Sequence, residues 1–160
     1  MPTLDDVYLK FGEAAEAAQL IETELGTLLL LANSADAGLL TEPDSTKASD
    51  LYDKINRHTF GQLINNLNRT TEPIDAVYFE LLTARDERNR LFHSFYRQHN
   101  FRRNSDEGRA VMLKDLESIH DKLLSAYKAL ALLSGIDIDA LAELNLPLPT
   151  DHVAFYRSKS

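Results

Sequence analysis

Apolar residues recur along much of this chain at alternating steps of three and four, a spacing that lays them along one stripe of an α-helix. The first stretch places Leu4, Val7, Phe11, Ala14, Ala18, Ile21, Leu25, Leu28 and Ala32 on such a heptad seam. Thr3 precedes it as a hydroxyl cap, and the spacing predicts a helix to about Ala35, stopped by Gly38. From Gly38 to Ser49 the chain carries Pro43 and small polar residues, which predict a connection, after which Leu51 and Ile55 begin a second helix. Thr59 and Gln62 have capping-box spacing, so a break is expected near His58, followed by a fresh helical segment through Phe60, Leu63, Ile64 and Leu67.

A third helix is expected from just after Pro73 to about Gln98. A fourth is expected to start near Asn104, with Glu107 in capping-box spacing, and to carry the seam Met112, Leu116, Ile119, Leu123, Ala126, Leu130 and Leu133 before Gly135 ends it. The Asp139–Leu144 segment adds a further turn or two, and Pro147 and Pro149 force an extended tail. With no alternating strand pattern, the expectation is all-α: an antiparallel four- to five-helix bundle over residues 1–146, with an extended C-terminal tail at 147–160.

Composition narrows the class. Hydrophobic residues at 44% and charged residues at 26% describe a globular chain rather than a disordered one. No apolar run approaches the roughly 20 residues of a membrane span, so no membrane partner is expected. The acidic N-terminus and the lack of cysteine fit a reducing cytoplasm. The lack of cysteine also excludes thiol nucleophiles, and no Gly-rich phosphate loop is present.

Charge changes the picture more. The formal net charge of −8 argues against coating nucleic acid by bulk electrostatics. Yet residues 1–84 carry −9 and residues 85–109 carry +3, and seven of the ten arginines lie in that middle window. Arginine's planar fork of donors suits phosphate, so a local anion site is compatible with an acidic protein.

That window includes the end of the third helix, whose apolar arc is Val77, Leu81, Ala84, Leu91, Phe92 and Phe95. Arg88 falls inside the arc, while Asn89 and His93 lie along its edge near Arg85 and Tyr96. A guanidinium placed among apolar side chains needs acceptors. The residues alone leave two readings open. Arg88 forms an ion pair with an acid of another helix, Asp50 or Glu117 for instance, and His93 is a boundary histidine; or both face a ligand or a dimer interface.

The run Arg88, Asn89, Arg90, Leu91, Phe92, His93 resembles the signature of the HEPN superfamily of all-helical domains: an arginine, a polar residue directly after it, and a histidine after a short spacer, late in a helix. The stretch from Thr59 to Ile64 is similar to one found in bacterial members. The resemblance implies a HEPN-like bundle and a metal-independent endoribonuclease of toxin or antiphage type, with two copies of the motif meeting in a homodimer. It implies catalytic roles for Arg88, Asn89 and His93, and an antitoxin or nucleotidyltransferase as partner. It equally implies the alternative of a non-catalytic interaction or nucleotide-binding module.

The implied chemistry suits the residue types. RNA supplies its own 2′-hydroxyl nucleophile, so cleavage needs a proton acceptor, a proton donor and positive charge on the phosphorane. His93 can move the proton and Arg88 can bind the non-bridging oxygens, with Asn89 orienting the histidine. Arg85, Arg90, Tyr96, Arg97, Arg102 and Arg103 are the substrate-binding candidates, the last two alongside His99 on an Arg-rich turn. His58 is read as structural and His120 as a surface residue. Glu117, His120 and Asp121 have ordinary helical spacing, so no metal and no cofactor are expected.

Overall fold

The computed structural model describes residues 1–70 and 75–144. These contain α1 (Leu4–Asp36), α2 (Ser45–Asn56), α3 (Phe60–Thr70), α4 (Asp75–His93), α5 (Phe95–His99), a 3-10 turn (Asn100–Asn104), α6 (Asp106–Leu133) and α7 (Ile138–Glu143). The protein is all-α, and no strand occurs among the described residues. The expected extended tail at 147–160 lies outside them.

The helix ends follow local chemistry. Thr3 accepts from the Asp6 backbone N–H, and the Asp6 side chain accepts from Thr3 in return. Thr59 and Gln62 form the second capping box, with Thr59 N–H donating to Gln62 Oε1 at 2.8 Å and Gln62 N–H to Thr59 Oγ1 at 3.4 Å. Gly38 takes φ +71° after α1 and Gly135 takes φ +76° after α6, the left-handed conformation that glycine reaches without steric cost.

Three expectations are corrected. Ser105, not Asn104, caps α6, its hydroxyl accepting from Gly108 N–H at 3.0 Å. The third helix is not continuous to Gln98. It breaks at Ser94 (φ −133°, ψ −17°), a slip that apolar spacing does not register because Phe95 is still buried after it. Late in α1 the buried stripe runs through Ile21, Leu25 and Leu29 rather than Leu28, since a straight helix drifts from a strict heptad.

Packing joins these helices around one cluster of buried residues. α1 and α6 carry its centre: Ala14, Ile21 and Leu25 of α1 and Leu116, Ile119 and Leu123 of α6 are all fully buried in it. Cross-contacts give their direction. Arg109 reaches the Pro2 carbonyl, Lys10 Nζ reaches His120 Nδ1, and Ser134 reaches Glu24, so α1 and α6 run parallel. α4 runs against both, because Phe11 meets Phe92 while Glu22 meets Arg88, and Arg90 meets Asp115 while Glu87 meets Lys122. The shorter α2 and α3 form a hairpin on α1 and leave its turn beside α4. Consecutive long segments thus reverse direction.

One contact is closer than any side chain allows. A Cβ on Gly108 would sit 2.0 Å from the Arg102 carbonyl oxygen, so the 3-10 turn lies directly on the first turn of α6. Gly108→Ala is expected to cost about 1–3 kcal/mol in urea denaturation, because backbone must move. Gly12→Ala, on the exposed face of α1 with nothing within 4 Å, is expected to stabilise by about 0.5–1 kcal/mol. Equal effects of the two substitutions would contradict the packing described.

Candidate functional site

α4 presents Arg85, Arg88, Asn89 and His93 along one side, at successive helical steps. The α2–α3 turn, held by the Thr59–Gln62 box, brings His58, Thr59, Phe60 and Gly61 opposite them, and Glu22 of α1 closes the base. These nine residues line a cleft of about 420 Å³. The three motif residues therefore share one concave surface.

Arg88 meets its acid there, and it is neither Asp50 nor Glu117. Its Nε donates to Glu22 Oε1 at 2.9 Å, and its Nη1 to Asn89 Oδ1 at 3.3 Å. Its guanidinium carbon stands 5.2 Å from the centre of the Phe92 ring. The pair is not enclosed, since the Arg88 and Glu22 side chains keep 27% and 32% of their exposure. Among the described residues Nη2 has no partner, so donors remain for an anion in the cleft. The neighbouring Arg85 pairs with Asp86 through Nε and Nη2 at 2.8 Å. His93 is exposed and has no hydrogen-bond partner among the described residues.

The other candidate binding residues lie elsewhere. Arg90 is two positions from Arg88, hence about 200° around the helix, and it faces α6 instead of the cleft. Its Nη1 and Nη2 donate to the two Asp115 oxygens at 2.7 and 2.8 Å, and its Nε donates to Glu87 at 2.9 Å. His99, buried, bonds the same Asp115 through Nε2 at 2.7 Å, while Arg102 Nη1 bonds His99 Nδ1 at 3.1 Å. With Arg102 donating, His99 Nδ1 is the acceptor and Nε2–H is the donor to Asp115. This four-residue chain ties α4, α5, the 3-10 turn and α6 together. The Arg90 guanidinium beside Asp115 holds its carboxyl below the ordinary value, with the His99 hydrogen bond acting the same way against partial burial.

Tyr96 packs against Phe11 and Phe95, with ring centres 5.6 and 5.3 Å away, and burial raises the pKa of its hydroxyl. Arg103 donates to the Tyr8 hydroxyl at 3.0 Å. Arg97 is exposed and unpaired among the described residues. None of Arg90, Tyr96, Arg97, Arg102 and Arg103 lines the cleft.

Five of the nine lining residues were not site candidates from sequence, Glu22, His58, Thr59, Phe60 and Gly61, and the first two carry titratable side chains. Glu22 is 66 positions from Arg88, and no local pattern connects them. His58 was read as structural because it sits at a break; the capping box beside it was the available signal that its backbone is firmly placed. Its Nδ1 lies 3.4 Å from Asn66 Nδ2. Among the described residues, no three His, Cys, Asp or Glu side chains are grouped to hold a metal ion. No described helix is long and apolar enough to cross a membrane. No family model matches the chain, and searches of curated proteins and of solved structures find no match.

Two expectations follow from these contacts. Glu22→Gln frees Arg88, so phosphate should bind the cleft several-fold more tightly, while stability changes by less than about 1 kcal/mol because the ion pair is partly solvated. Following Arg88 Nε by NMR during a phosphate titration checks this, and an unchanged affinity counts against the cleft as an anion site. Asp115→Asn should lower stability by about 1–3 kcal/mol at neutral pH. Asp115 has a lowered folded-state pKa, so its contribution is present above the unfolded value near 3.8 and is lost as pH falls through the folded one. Urea midpoints of wild type and Asp115→Asn should therefore converge in strong acid; a gap that persists there implicates packing instead.

Proposed function

We propose that this chain is a metal-independent endoribonuclease of toxin type, acting in the cytoplasm as a homodimer with a HEPN-like arrangement of its motif. The observation that supports this reading is the convergence of Arg88, Asn89 and exposed His93, with Arg85, on one cleft. The resemblance of the motif supplies the reaction class.

In the proposed reaction the 2′-hydroxyl oxygen attacks the adjacent phosphorus as His93 takes its proton. A bond from O2′ to phosphorus forms and the bond to O5′ breaks, with a second acid protonating the departing oxygen. A two-fold dimer supplies that acid as a second copy of His93. The products are a 2′,3′-cyclic phosphate and a 5′-hydroxyl end. Arg88 and Arg85 offset the charge on the phosphorane, with phosphate displacing Glu22 from part of the Arg88 fork. The steps balance with RNA alone and call on no cofactor.

A second reading has its own observation. Glu22 already occupies Arg88, as expected of a side chain whose task is to fix helix packing in a non-catalytic interaction or nucleotide-binding module. The two readings diverge at His93. In the nuclease, His93→Ala lowers cleavage of a mixed RNA pool by roughly 10²–10⁴-fold with fold and oligomeric state unchanged, cleavage survives excess chelator, and 2′-deoxy substrates are inert. The measurement is single-turnover cleavage with end-group analysis. If wild type and His93→Ala both leave RNA intact, or cut it at the same trace rate, the module reading replaces the nuclease.

A further inference from the structure

A second cavity, of about 320 Å³, lies between α1, α2 and α3, and His58 lines it as well as the cleft of α4. Its polar lining among the described residues is Asn33, Lys54, His58, Asn66 and Arg69, and no carboxylate is among them. Such a lining is unusual in the acidic half of a chain whose first 84 residues carry −9. It also contrasts with the α4 cleft, where Glu22 offsets part of the positive charge. Leu29, Leu51 and Ile55 give the cavity an apolar floor. Two cations above an apolar floor, with amides at the edge, match a nucleotide: phosphate to the cations, base or sugar to the floor, exocyclic groups to the amides.

Hydrogen bonds set how the polar groups are presented. Asn33 Nδ2 donates to the Leu29 carbonyl at 2.8 Å, which leaves its Oδ1 as acceptor. Asn66 Nδ2 donates towards His58 Nδ1 at 3.4 Å, so a neutral His58 carries its proton on Nε2. His58 is thus a shared wall between two places suited to phosphate.

We propose that this cavity is a second nucleotide subsite of the same RNA-binding surface. The strand that places one phosphate at Arg88 passes His58 and seats a neighbouring nucleotide in the cavity, its phosphate held by Lys54 and Arg69. The proposal rests on the nuclease reading for its substrate class, but it concerns binding and is read without cleavage. Lys54 and Arg69 also stand in the last turns of α2 and α3, where a cation offsets the partial negative charge of a helix end. That role affects stability and leaves salt-dependent RNA binding untouched.

The test uses fluorescently labelled single-stranded 2′-O-methyl RNA of four nucleotides, which cannot be cut, with 5′-AMP and inorganic phosphate as smaller probes. Wild type, Gly12→Ala and the double variant Lys54→Gln/Arg69→Gln are compared by anisotropy across a salt series, with urea midpoints recorded. The double variant is expected to bind the tetranucleotide roughly tenfold more weakly and to lose about 1.4 from the slope of log affinity against log salt, the share of two phosphate contacts on a single strand. Gly12→Ala, on the exposed face of α1 away from both cavities, is expected to bind like wild type. A double variant with wild-type affinity and slope overturns the subsite and leaves the nuclease reading to its own cleavage test. Weaker binding by the double variant upholds the subsite even if wild type cuts no RNA, in which case the nuclease reading alone fails. Binding of 5′-AMP as tight as that of the tetranucleotide, and equally dependent on Lys54 and Arg69, assigns the cavity to free nucleotides and overturns its place on a strand, as does absence of tetranucleotide binding by wild type.

Discussion

α1 and α6 are the longest helices, and their apolar stripes bury each other while the two run in the same direction. A chain can lay two helices parallel only by travelling back between them. α4 makes the main return, antiparallel to both, but α4 begins at the end where α1 finishes, so the intervening chain must also leave that end and come back. The α2–α3 hairpin does this. At about 1.5 Å per residue, its arms of 12 and 11 residues reach roughly 18 and 16 Å, against about 50 Å for α1. The hairpin turn consequently falls part way along α1, near Glu22, and it is there that α4 carries Arg85, Arg88, Asn89 and His93. Both cavities touch the turn at His58. The site is a by-product of a hairpin shorter than the helix it covers.

Much of this was legible along the chain because its causes are local. The seam of α6 from Met112 to Leu130, the Thr3 cap, the Thr59–Gln62 capping box, the break at His58 and the stop at Gly135 each depend on residues within a turn or two of one another. The motif face could be read as well, since helical geometry alone puts Arg85, Asn89 and His93 in line. The same geometry sets Arg90 about 200° from Arg88, so its separation from the cleft was available to sequence reasoning that grouped arginines by proximity in the chain. What could not be read was the partner of each charge. Glu22 and Asp115 were two acids among 25, and choosing them requires knowing how helices far apart in sequence align. The interruption at Ser94 was equally hidden, because burial resumes at Phe95 as if the helix had continued.

Electrostatics on this protein is a matter of neighbourhoods. Arg90 belongs to the basic window, but Asp115 and Glu87 pair with it within the fold, so it adds little to any surface field. Lys54 and Arg69 lie in the acidic half, yet they share a cavity whose described lining holds no carboxylate. Segment charge is thus a poor guide to single residues such as Arg90, Lys54 and Arg69; the lining of each concavity gives the local balance that a small anion would meet.

The alternation along α4 also bears on how this protein can change over generations. Glu87 and Arg90 face α6 and tie the helices together, while Arg85, Arg88 and Asn89 face the cleft. The two sets interleave in six consecutive residues but share few contacts. Substitutions on the cleft side can therefore accumulate and retune what is bound with little loss of folded protein, while the other side stays anchored to Asp115. A helix divided in this way lets ligand choice drift while the scaffold stays fixed.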